Sequence, residues 1–314
     1  MNTKIFRGLV AVAVIATVCV FSSCVKDDVV PPDEETVEVP LEGVKTRSVS
    51  TLINFGSIPQ SWQKVKSGSS VNLYKHSTDG SVYITDIDLE NARIGLTWAG
   101  SSTSPSDPDR NAGCYRYTKQ TVKSMVENAN DIFVASNFGF FWSSGESSYP
   151  LKQSTHVDVG ASKTSSSDYT YNLYAMVVAD GVGVKLNTFS TSNWANFAGT
   201  YTYDNKVYVV RNNQGNSPTD PTKYRTILAV TTQSGTYYKR MYLLVTNVGM
   251  TESTAKSYLQ DFIEQQELMC SNLVFIPLDG GGSSQLFAKN VNSTNLHLSG
   301  DGRTVINALI IKDF

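Results

Sequence analysis

Short runs of strand-forming residues, separated by polar turns, recur along most of the chain and constrain its fold more than any other feature. Eight of these runs combine apolar or alternating patterns with β-branched and aromatic residues: VYITDIDL, IFVASNF, YAMVVAD, KVYVVRN, TILAVTT, YKRMYLLVTN, LVFIPLD and VINALIIKD. Runs of this length and composition predict β-strands. Gln233-Ser234-Gly235 separates two of them and predicts a hairpin turn.

Two segments carry the helical period instead. The first has apolar residues at i, i+3, i+4 and i+7, namely Val122, Met125, Val126 and Ala129, with Thr118 as the predicted N-cap. The second runs from about Thr251 to Leu268, with one apolar stripe and with Glu252 in its first turn. We therefore predict an α+β fold, in which a mixed, largely antiparallel sheet packs against two main helices.

The N-terminus has the features of a lipoprotein signal peptide. Lys4 and Arg7 precede an apolar run at residues 9–21 that is shorter than a membrane span and ends in FSSC. In this interpretation residues 1–24 are the signal peptide, and Cys24 becomes a lipidated mature N-terminus. The alternative is an uncleaved anchor. Both interpretations tether the protein to a membrane and place it in the cell envelope.

The remaining chain divides into a tether and a large folded part. Residues 25–47 are acidic, contain prolines and have few aromatics, which is the composition of a solvated linker. Lys26-Asp27-Asp28 resembles the surface-export signal of some Gram-negative lipoproteins, so we predict attachment to the outer membrane. Residues 48–118 have no assignment and are an added layer or a substrate-shaping loop, and residues 119–314 form the main domain.

Composition argues against several classes of function. The net charge of -2 and the absence of a Lys/Arg run exclude nucleic acid as the expected partner. His76, His156 and His297 have no paired spacing, so we predict no metal site and no cofactor. Cys114 and Cys270 form either one disulfide or two buried thiols.

The segment LDGGGSSQL, at residues 278–286, is unusual between two runs of strand-forming residues. Asp279 precedes three consecutive glycines, which are followed by Ser283 and Ser284. A hairpin requires one or two glycines at positive φ, whereas three remove every side chain from the turn. The segment is either a mobile hairpin tip or a nest of backbone N–H groups that an anion or a sugar approaches closely.

Each predicted helix leads into a strand that ends in an unusual segment. The first strand ends at Asn137 and Gly139, and the second ends at Asp279 and the glycines. We expect the two strand ends to share one edge of a sheet and to face one cleft.

The order of the segments also carries a family resemblance. Six segments follow one another along the chain. They are a helix, Asn-x-Gly-Phe-Phe at residues 137–141, Arg225-Thr226 in a hairpin, Gly-Met-Thr at residues 249–251, Leu-Asp-Gly-Gly-Gly-Ser-Ser and Arg303. This order resembles the phosphodiester glycosidase family over residues 119–314. The chain departs from that family at Phe138, where a second glycine is usual, and at Tyr224, where a proline is common.

The resemblance implies that the chain hydrolyses a sugar 1-phosphodiester. Asp279 would act at the anomeric centre as nucleophile, acid/base or charge stabiliser, and Glu146 would be a second catalytic carboxylate. Substrate contacts would come from the strand ends, the glycine turn and two arginines, namely Asn137, Gly139, Arg225, Thr226, Gly280, Gly281, Gly282, Ser283, Ser284 and Arg303.

Most of these residues also have a simpler interpretation. Arg225 and Arg303 are equally consistent with structural ion pairs, and Asn137 with the satisfaction of backbone groups at a strand end. Glu146 is equally consistent with a solvated loop. Three aromatic residues are either sugar-stacking platforms or core: Trp142, Tyr149 and Trp194.

Two functions follow from these interpretations. The first is an envelope-anchored glycosidase that hydrolyses a sugar 1-phosphodiester in a glycan, with a phosphorylated glycan as substrate and the membrane as anchor. The second is a surface glycan-binding lipoprotein that uses the same cleft without catalysis.

Overall fold

The computed structural model describes residues 60–100, 114–160, 172–190, 194, 196–212, 214–266 and 272–314. All of them belong to one compact unit, Ser50–Phe314. The predicted signal peptide with Cys24, the predicted tether and Cys270 lie outside the described residues. Within the described ranges, no helix is both long enough and apolar enough to cross a membrane.

Strands dominate the described part of the chain. The strands are β1 (Trp62–Ser67), β2 (Val71–His76), β3 (Val82–Asp88), β4 (Arg93–Trp98), β5 (Val134–Asn137), β6 (Leu151–Gln153), β7 (His156–Asp158), β8 (Leu173–Ala179), β9 (Gly183–Phe189), β10 (Lys206–Arg211), β11 (Thr226–Ser234), β12 (Tyr237–Thr246), β13 (Val274–Pro277), β14 (Leu286–Val291), β15 (Thr294–Leu298) and β16 (Asn307–Lys312). The helices are α1 (Val122–Val126), α2 (Phe197–Thr200) and α3 (Glu252–Gln265). Each of the eight strand-like runs of the sequence contains a strand.

The strands form two sheets. The larger sheet has the order β1-β2-β3-β12-β9-β8-β10-β6-β7, with β11 and then β13 extending from β12. The smaller sheet has the order β15-β14-β5-β16-β4. Every pairing between the described strands is antiparallel. The prediction of a largely antiparallel sheet is therefore confirmed, and the prediction that it would be mixed is wrong for these residues.

The main core lies between the two sheets, and strand alternation decides which side chains reach it. In β11, Leu228 and Val230 face this core. Their neighbours Ile227 and Ala229 face the opposite side and join the cluster that contains α3. This period of two makes β11 buried on both faces, which explains why its sequence is a continuous apolar run. The β11–β12 hairpin is confirmed, with Gly235 at positive φ in the turn.

The long helix α3 covers the outer face of the larger sheet. Its apolar stripe, including Ala255, Leu259 and Phe262, is buried there. The Thr251 hydroxyl caps the helix by accepting a hydrogen bond from the backbone N–H of Thr254, with an N···O distance of 3.1 Å. The predicted start of this helix is confirmed.

The first predicted helix is much shorter than its periodicity indicated. It spans only Val122–Val126, and its N-cap is Thr121 rather than Thr118. The reason is tertiary: the backbone of Gln120 exchanges two hydrogen bonds with Val305 and is held in an extended bridge, so the helix begins only after it. The prediction of two main helices is therefore wrong for the described residues, since α3 alone exceeds five residues there.

The N-terminal strands are integral to both sheets. β3 pairs with β12 in the larger sheet, and β4 pairs with β16 in the smaller one. The described part of residues 48–118 thus completes the two sheets that the rest of the chain builds.

The two strand ends that were expected to share one sheet edge belong to different sheets. β5 lies in the smaller sheet and β13 in the larger one. They nevertheless meet, because the backbone N–H of Asp279 donates to the carbonyl of Phe138 at 3.1 Å. The proximity comes from the packing of one sheet on the other.

Candidate active site

A small pocket of about 180 Å³ lies where β11, β13 and the glycine turn meet. It is lined by carboxylates, cations and bare backbone: Gly215, Asn216, Ser217, Lys223, Arg225, Thr226, Ile227, Glu252, Pro277, Leu278, Asp279, Gly280, Gly281, Gly282 and Arg303. Pockets for drug-sized ligands usually measure about 300–1,000 Å³. This one therefore accommodates a single small group, such as a phosphate or one sugar ring.

Asp279 lies two residues after the end of β13 and has a perturbed carboxyl group. Burial raises the pKa of Asp279 to about 6. A hydrogen bond from the Ser283 hydroxyl, the positive charges of Arg303 and Arg211, and the backbone N–H of Gly280 all act in the opposite direction. Asp279 is therefore a carboxyl group that changes charge near neutral pH, which is typical of catalytic acids and bases.

Asn137 holds the Asp279 backbone from behind. Its amide nitrogen donates to the Asp279 carbonyl. Its Oδ1 accepts hydrogen bonds from the Thr226 hydroxyl and from the backbone N–H of Gln285, both at 2.9 Å. Asn137 is fully buried, and the described lining of the pocket does not include it. It joins the ends of β5, β11 and the glycine turn, so its position is that of a structural support.

The glycines of the turn make room for the protein's own atoms. Gly281 has φ +61°, in the left-handed region. A Cβ at Gly280 would lie 3.0 Å from the Tyr224 carbonyl, and one at Gly282 would overlap the carboxylate of Asp301. These local constraints explain the run of glycines without a ligand.

Most of the backbone N–H groups of this turn are also occupied internally. The N–H of Gly281 donates to Tyr224, that of Ser283 to Gly280 and that of Ser284 to Gly281. The N–H of Gly280 reaches the Asp279 carboxylate. The expectation of a nest that offers successive N–H groups to an anion therefore fails at these four positions.

Three of the predicted substrate contacts do not line the pocket: Gly139, Ser283 and Ser284. Both serines are buried, and the described lining includes neither. The Ser284 hydroxyl lies 3.1 Å from that of Thr226. The N–H of Gly139 donates to Asn307 Oδ1 at 2.9 Å. The Ser283 hydroxyl thus supports Asp279, and the Ser284 hydroxyl supports Thr226.

Arg225 lines the pocket, but its guanidinium is committed to the backbone. Nε donates to the Met250 carbonyl at 2.8 Å, Nη1 to Asn216 at 3.1 Å, and Nη2 to Ser217 at 2.9 Å and Asp220 at 2.7 Å. Only one of its five N–H groups remains beyond these four bonds. Arg225 thus uses most of its donors for the backbone, and the predicted contact with the substrate would have to use the one remaining N–H.

Arg303 is the more exposed cation of the site. Its side chain is 58% exposed and lies 3.5 Å from the Asp301 carboxylate. Both backbone polar groups of Arg303 are hydrogen-bonded. Its N–H donates to Asp301 Oδ1 at 3.1 Å, and its carbonyl accepts from Gln285 Nε2 at 2.6 Å. An exposed guanidinium on a fixed backbone can contact an anionic ligand at the pocket mouth.

Glu146 lies apart from this pocket, so its pairing with Asp279 as a catalytic carboxylate is not supported. It is fully buried, and its Oε1 accepts from Arg116 Nε at 2.9 Å. The alternative of a solvated loop is wrong as well. The second carboxylate in the described lining is Glu252, which accepts from the N–H of Gly215 at 2.8 Å and forms an ion pair with Lys256 at 2.7 Å.

Besides Glu252, three further residues of the site were missed by sequence reasoning. Gln285 joins α1 to Arg303, since its Oε1 accepts from the Val122 N–H at 2.9 Å. Lys223 adds a cation to the pocket, and Arg211 adds its charge near Asp279. Only position in the sequence could have indicated two of these residues. Lys223 lies two residues before Arg225, and Arg211 lies at the end of β10. No sequence pattern marked Gln285.

The three aromatic residues that were expected to be either sugar-stacking platforms or core divide between surface and core. Trp142 is 38% exposed. Tyr149 and Trp194 belong to a buried cluster with Phe140 and Phe189, which is the core interpretation. Arg211 lies against this cluster, with its Nε donating to the Tyr149 hydroxyl at 2.7 Å.

The described residues contain no group of three or more His, Cys, Asp or Glu side chains arranged to hold a metal ion. Cys114 is buried, and Cys270 lies outside the described ranges.

Comparisons with known proteins leave the family open. No protein-family model matches the chain. No curated protein matches it either. A solved structure described as a hypothetical protein from Synechocystis is similar over 81% of this chain, with 10% sequence identity and a TM-score of 0.40. This chain spans 61% of the length of that structure. The resemblance to phosphodiester glycosidases therefore stays a prediction.

Proposed function

We propose that this protein is an envelope-anchored hydrolase that cleaves a sugar 1-phosphodiester in a glycan. The observation that carries the proposal is the Asp279 carboxyl, with a pKa of about 6, in a small pocket that Arg303 and Lys223 also line. An anionic diester suits the two cations, and a developing positive charge at the sugar suits the carboxylate. The sequence resemblance over residues 119–314 and the Cys24 segment supply the family and the lipid anchor of this proposal.

The reaction assigns a separate task to each group. Arg303 and Lys223 hold the phosphate oxygens by charge-assisted hydrogen bonds. Ionised Asp279 faces the anomeric carbon as the bond from that carbon to the phosphate oxygen breaks. The electron pair of this bond leaves with the phosphate. Water supplies the hydroxyl of the released sugar and gives its other proton to the solvent or to the released phosphate. The phosphate is a good leaving group, so the reaction needs no second carboxylic acid.

One observation favours a second candidate function, that of a glycan-binding lipoprotein without catalysis. The two glutamates that could assist Asp279 are committed to internal partners: Glu252 to Lys256 and Gly215, and Glu146 to Arg116. If cleavage requires a general acid, neither glutamate would be available to act as one. The same pocket would then bind a phosphorylated sugar without cleaving it.

Turnover of a uridine-diphosphate sugar or a synthetic glycosyl phosphodiester by the purified protein tests the proposal. We expect Asp279→Asn to lower turnover by about a thousandfold or more while changing substrate affinity little, because the carboxylate acts mainly as charge develops. Asp180→Asn is the matched control, since Asp180 forms an ion pair with Lys206 outside this pocket. Binding of these substrates without cleavage by the wild type would establish the second function, and full turnover by Asp279→Asn would exclude Asp279 as the catalytic group.

A further inference from the structure

A second cavity, larger and more open than the first, lies beside the N-terminal half of α3. We call it the α3 groove. It measures about 670 Å³, and its wall includes Asn172, Asn212, Lys256, Gln260 and Phe275. This volume lies within the range of about 300–1,000 Å³ that is typical of small-molecule sites. None of the sequence motifs points to it.

The groove offers the chemistry that recognises neutral sugars. Amide side chains both donate and accept hydrogen bonds, as sugar hydroxyls do, and Asn172, Asn212 and Gln260 supply three of them. Ser257 adds a hydroxyl, and the half-buried ring of Phe275 adds an apolar face on which a sugar ring can pack.

The charges of the groove argue against an anionic ligand. Lys256 is the cation in its described lining, and its Nζ lies 2.7 Å from Glu252 Oε1. This ion pair neutralises the lysine, so a phosphate would gain little attraction here. In the Asp279 pocket the ion pairs are looser, since Lys223 Nζ lies 3.6 Å from Asp220 and Arg303 Nη2 lies 3.5 Å from Asp301.

One buried polar atom in the groove wall has no partner among the described residues. Asn212 Oδ1 is shielded from solvent and accepts no hydrogen bond from them. A buried acceptor without a donor costs about 1–3 kcal/mol. The backbone next to it is fixed, because the N–H of Asn212 donates to the Asn172 carbonyl at 2.8 Å. Rotation of the Asn212 amide into the groove would expose this oxygen to a hydroxyl donor of a bound sugar.

The groove also borders the Asp279 pocket. Glu252 belongs to the lining of both cavities. The Glu252 side chain therefore separates a ligand in the α3 groove from a group held in the pocket.

We propose that the α3 groove is a saccharide subsite that binds a neutral sugar unit of a glycan. Its assignment to the same substrate as the Asp279 pocket rests on the proposed function. The phosphodiester then occupies the charged pocket, and the uncharged glycan chain extends past Glu252 along α3.

Calorimetric titration of the purified protein with four neutral tetrasaccharides, built from glucose, mannose, galactose or N-acetylglucosamine, tests the subsite. We expect at least one of them to bind. Gln260→Ala and Phe275→Leu should each weaken that binding by about tenfold, and Asp279→Asn should leave it unchanged. Gln233→Ala is the matched control, because Gln233 lies on the β11–β12 hairpin outside the groove. Alanine is a good helix residue, so Gln260→Ala should fold normally.

Failure of all four tetrasaccharides to bind, or wild-type binding by both groove variants, would overturn the subsite. These sugars carry no phosphate, so their binding does not depend on catalysis. Turnover of a small glycosyl phosphodiester, in turn, does not require the groove. The two proposals can therefore fail separately.

Discussion

At the residue scale, Arg303 lowers the pKa of Asp279 as well as contacting the substrate in our proposal. Burial raises the Asp279 pKa to about 6, and the positive charge of Arg303 opposes this rise. If ionised Asp279 is required, kcat/KM should increase as pH rises through about 6. Arg303→Gln removes a positive charge, which raises the pKa, so this increase should move to a higher pH. A pH–rate profile of both proteins measures the shift.

Lys223→Gln provides the comparison for that experiment. Lys223 lines the same pocket but is not among the main causes of the Asp279 pKa shift. Lys223→Gln should raise KM for an anionic diester without moving the pH dependence of kcat/KM. If Arg303→Gln also left the pH dependence in place, Asp279 would not be the group that titrates.

Arg225 should matter for stability more than for substrate binding. Its four hydrogen bonds hold the carbonyls of Met250, Asn216, Ser217 and Asp220 around the start of α3. Met250 is buried, whereas Asn216 and Ser217 are exposed and can bond to water instead. Arg225→Ala therefore leaves a buried acceptor without its donor, and we expect the free energy of unfolding to fall by about 1–3 kcal/mol. Urea denaturation measures this loss. Arg303→Ala, which removes an exposed arginine, should cost less than about 1 kcal/mol, and equal losses would contradict our assignment.

At the element scale, the Asp301 carboxylate packs against the glycine turn and occupies the space where a side chain at position 282 would lie. Gly282→Ala should displace Asp301 from the turn, because the new Cβ would overlap its carboxylate. The displacement breaks the bond from the Arg303 N–H to Asp301, at a cost of about 1 kcal/mol. The same substitution in an Asp301→Ala background should cost less, and a double-mutant cycle by urea denaturation measures the difference.

Gly281→Ala is the control for this cycle. A Cβ at Gly281 meets only the Lys223 side chain, at 3.7 Å, but its φ of +61° strains any L-residue. We expect a loss of about 1–2 kcal/mol that Asp301→Ala does not relieve. Equal relief of both glycine variants would mean that Asp301 does not fill the space beside Gly282.

At the scale of the whole molecule, Asp313 fastens the C-terminus to the β1–β2 hairpin. Its Oδ1 accepts from the N–H of Ser70 at 2.6 Å, and its Oδ2 accepts from the N–H of Ser69 at 2.9 Å. Burial alone would raise the pKa of Asp313, but the hydrogen bonds from Ser70 and Ser69 outweigh it and hold the pKa below its usual value of 3.8.

Asp313→Ala should therefore destabilise the protein in a pH-dependent way. The ionised form is favoured in the folded state, so its stabilisation is present above pH 3.8 and is lost as pH falls through the lower folded-state pKa. At pH 7 we expect a loss of about 1.5–3 kcal/mol, the value of one hydrogen bond to a charged group. The difference from the wild type should shrink below about pH 4. Thermal unfolding across acidic and neutral pH measures it, and a constant difference would contradict the charge-dependent clamp.

Local patterns in the sequence were sufficient for most of the strands and for the start of α3. A strand alternates every two residues, and the Thr251 cap lies within three residues of its partner. The length of α1 could not be predicted in this way. Val126 ends that helix although apolar residues continue to Ala129, and the bridge from Gln120 to the distant Val305 delays its start.

The sequence by itself determined that the chain forms antiparallel hairpins and that Asp279, its glycines and Thr226 belong to distinctive segments. Only the tertiary structure decided that Arg225 serves the backbone, that Glu252 rather than Glu146 lines the pocket, and that Asp301 fills the space beside Gly282. The physical reason is range. Strand formation and helix capping depend on neighbours in the sequence, whereas burial, hydrogen-bond partners and the pKa of a carboxyl depend on atoms that meet only when the two sheets pack together.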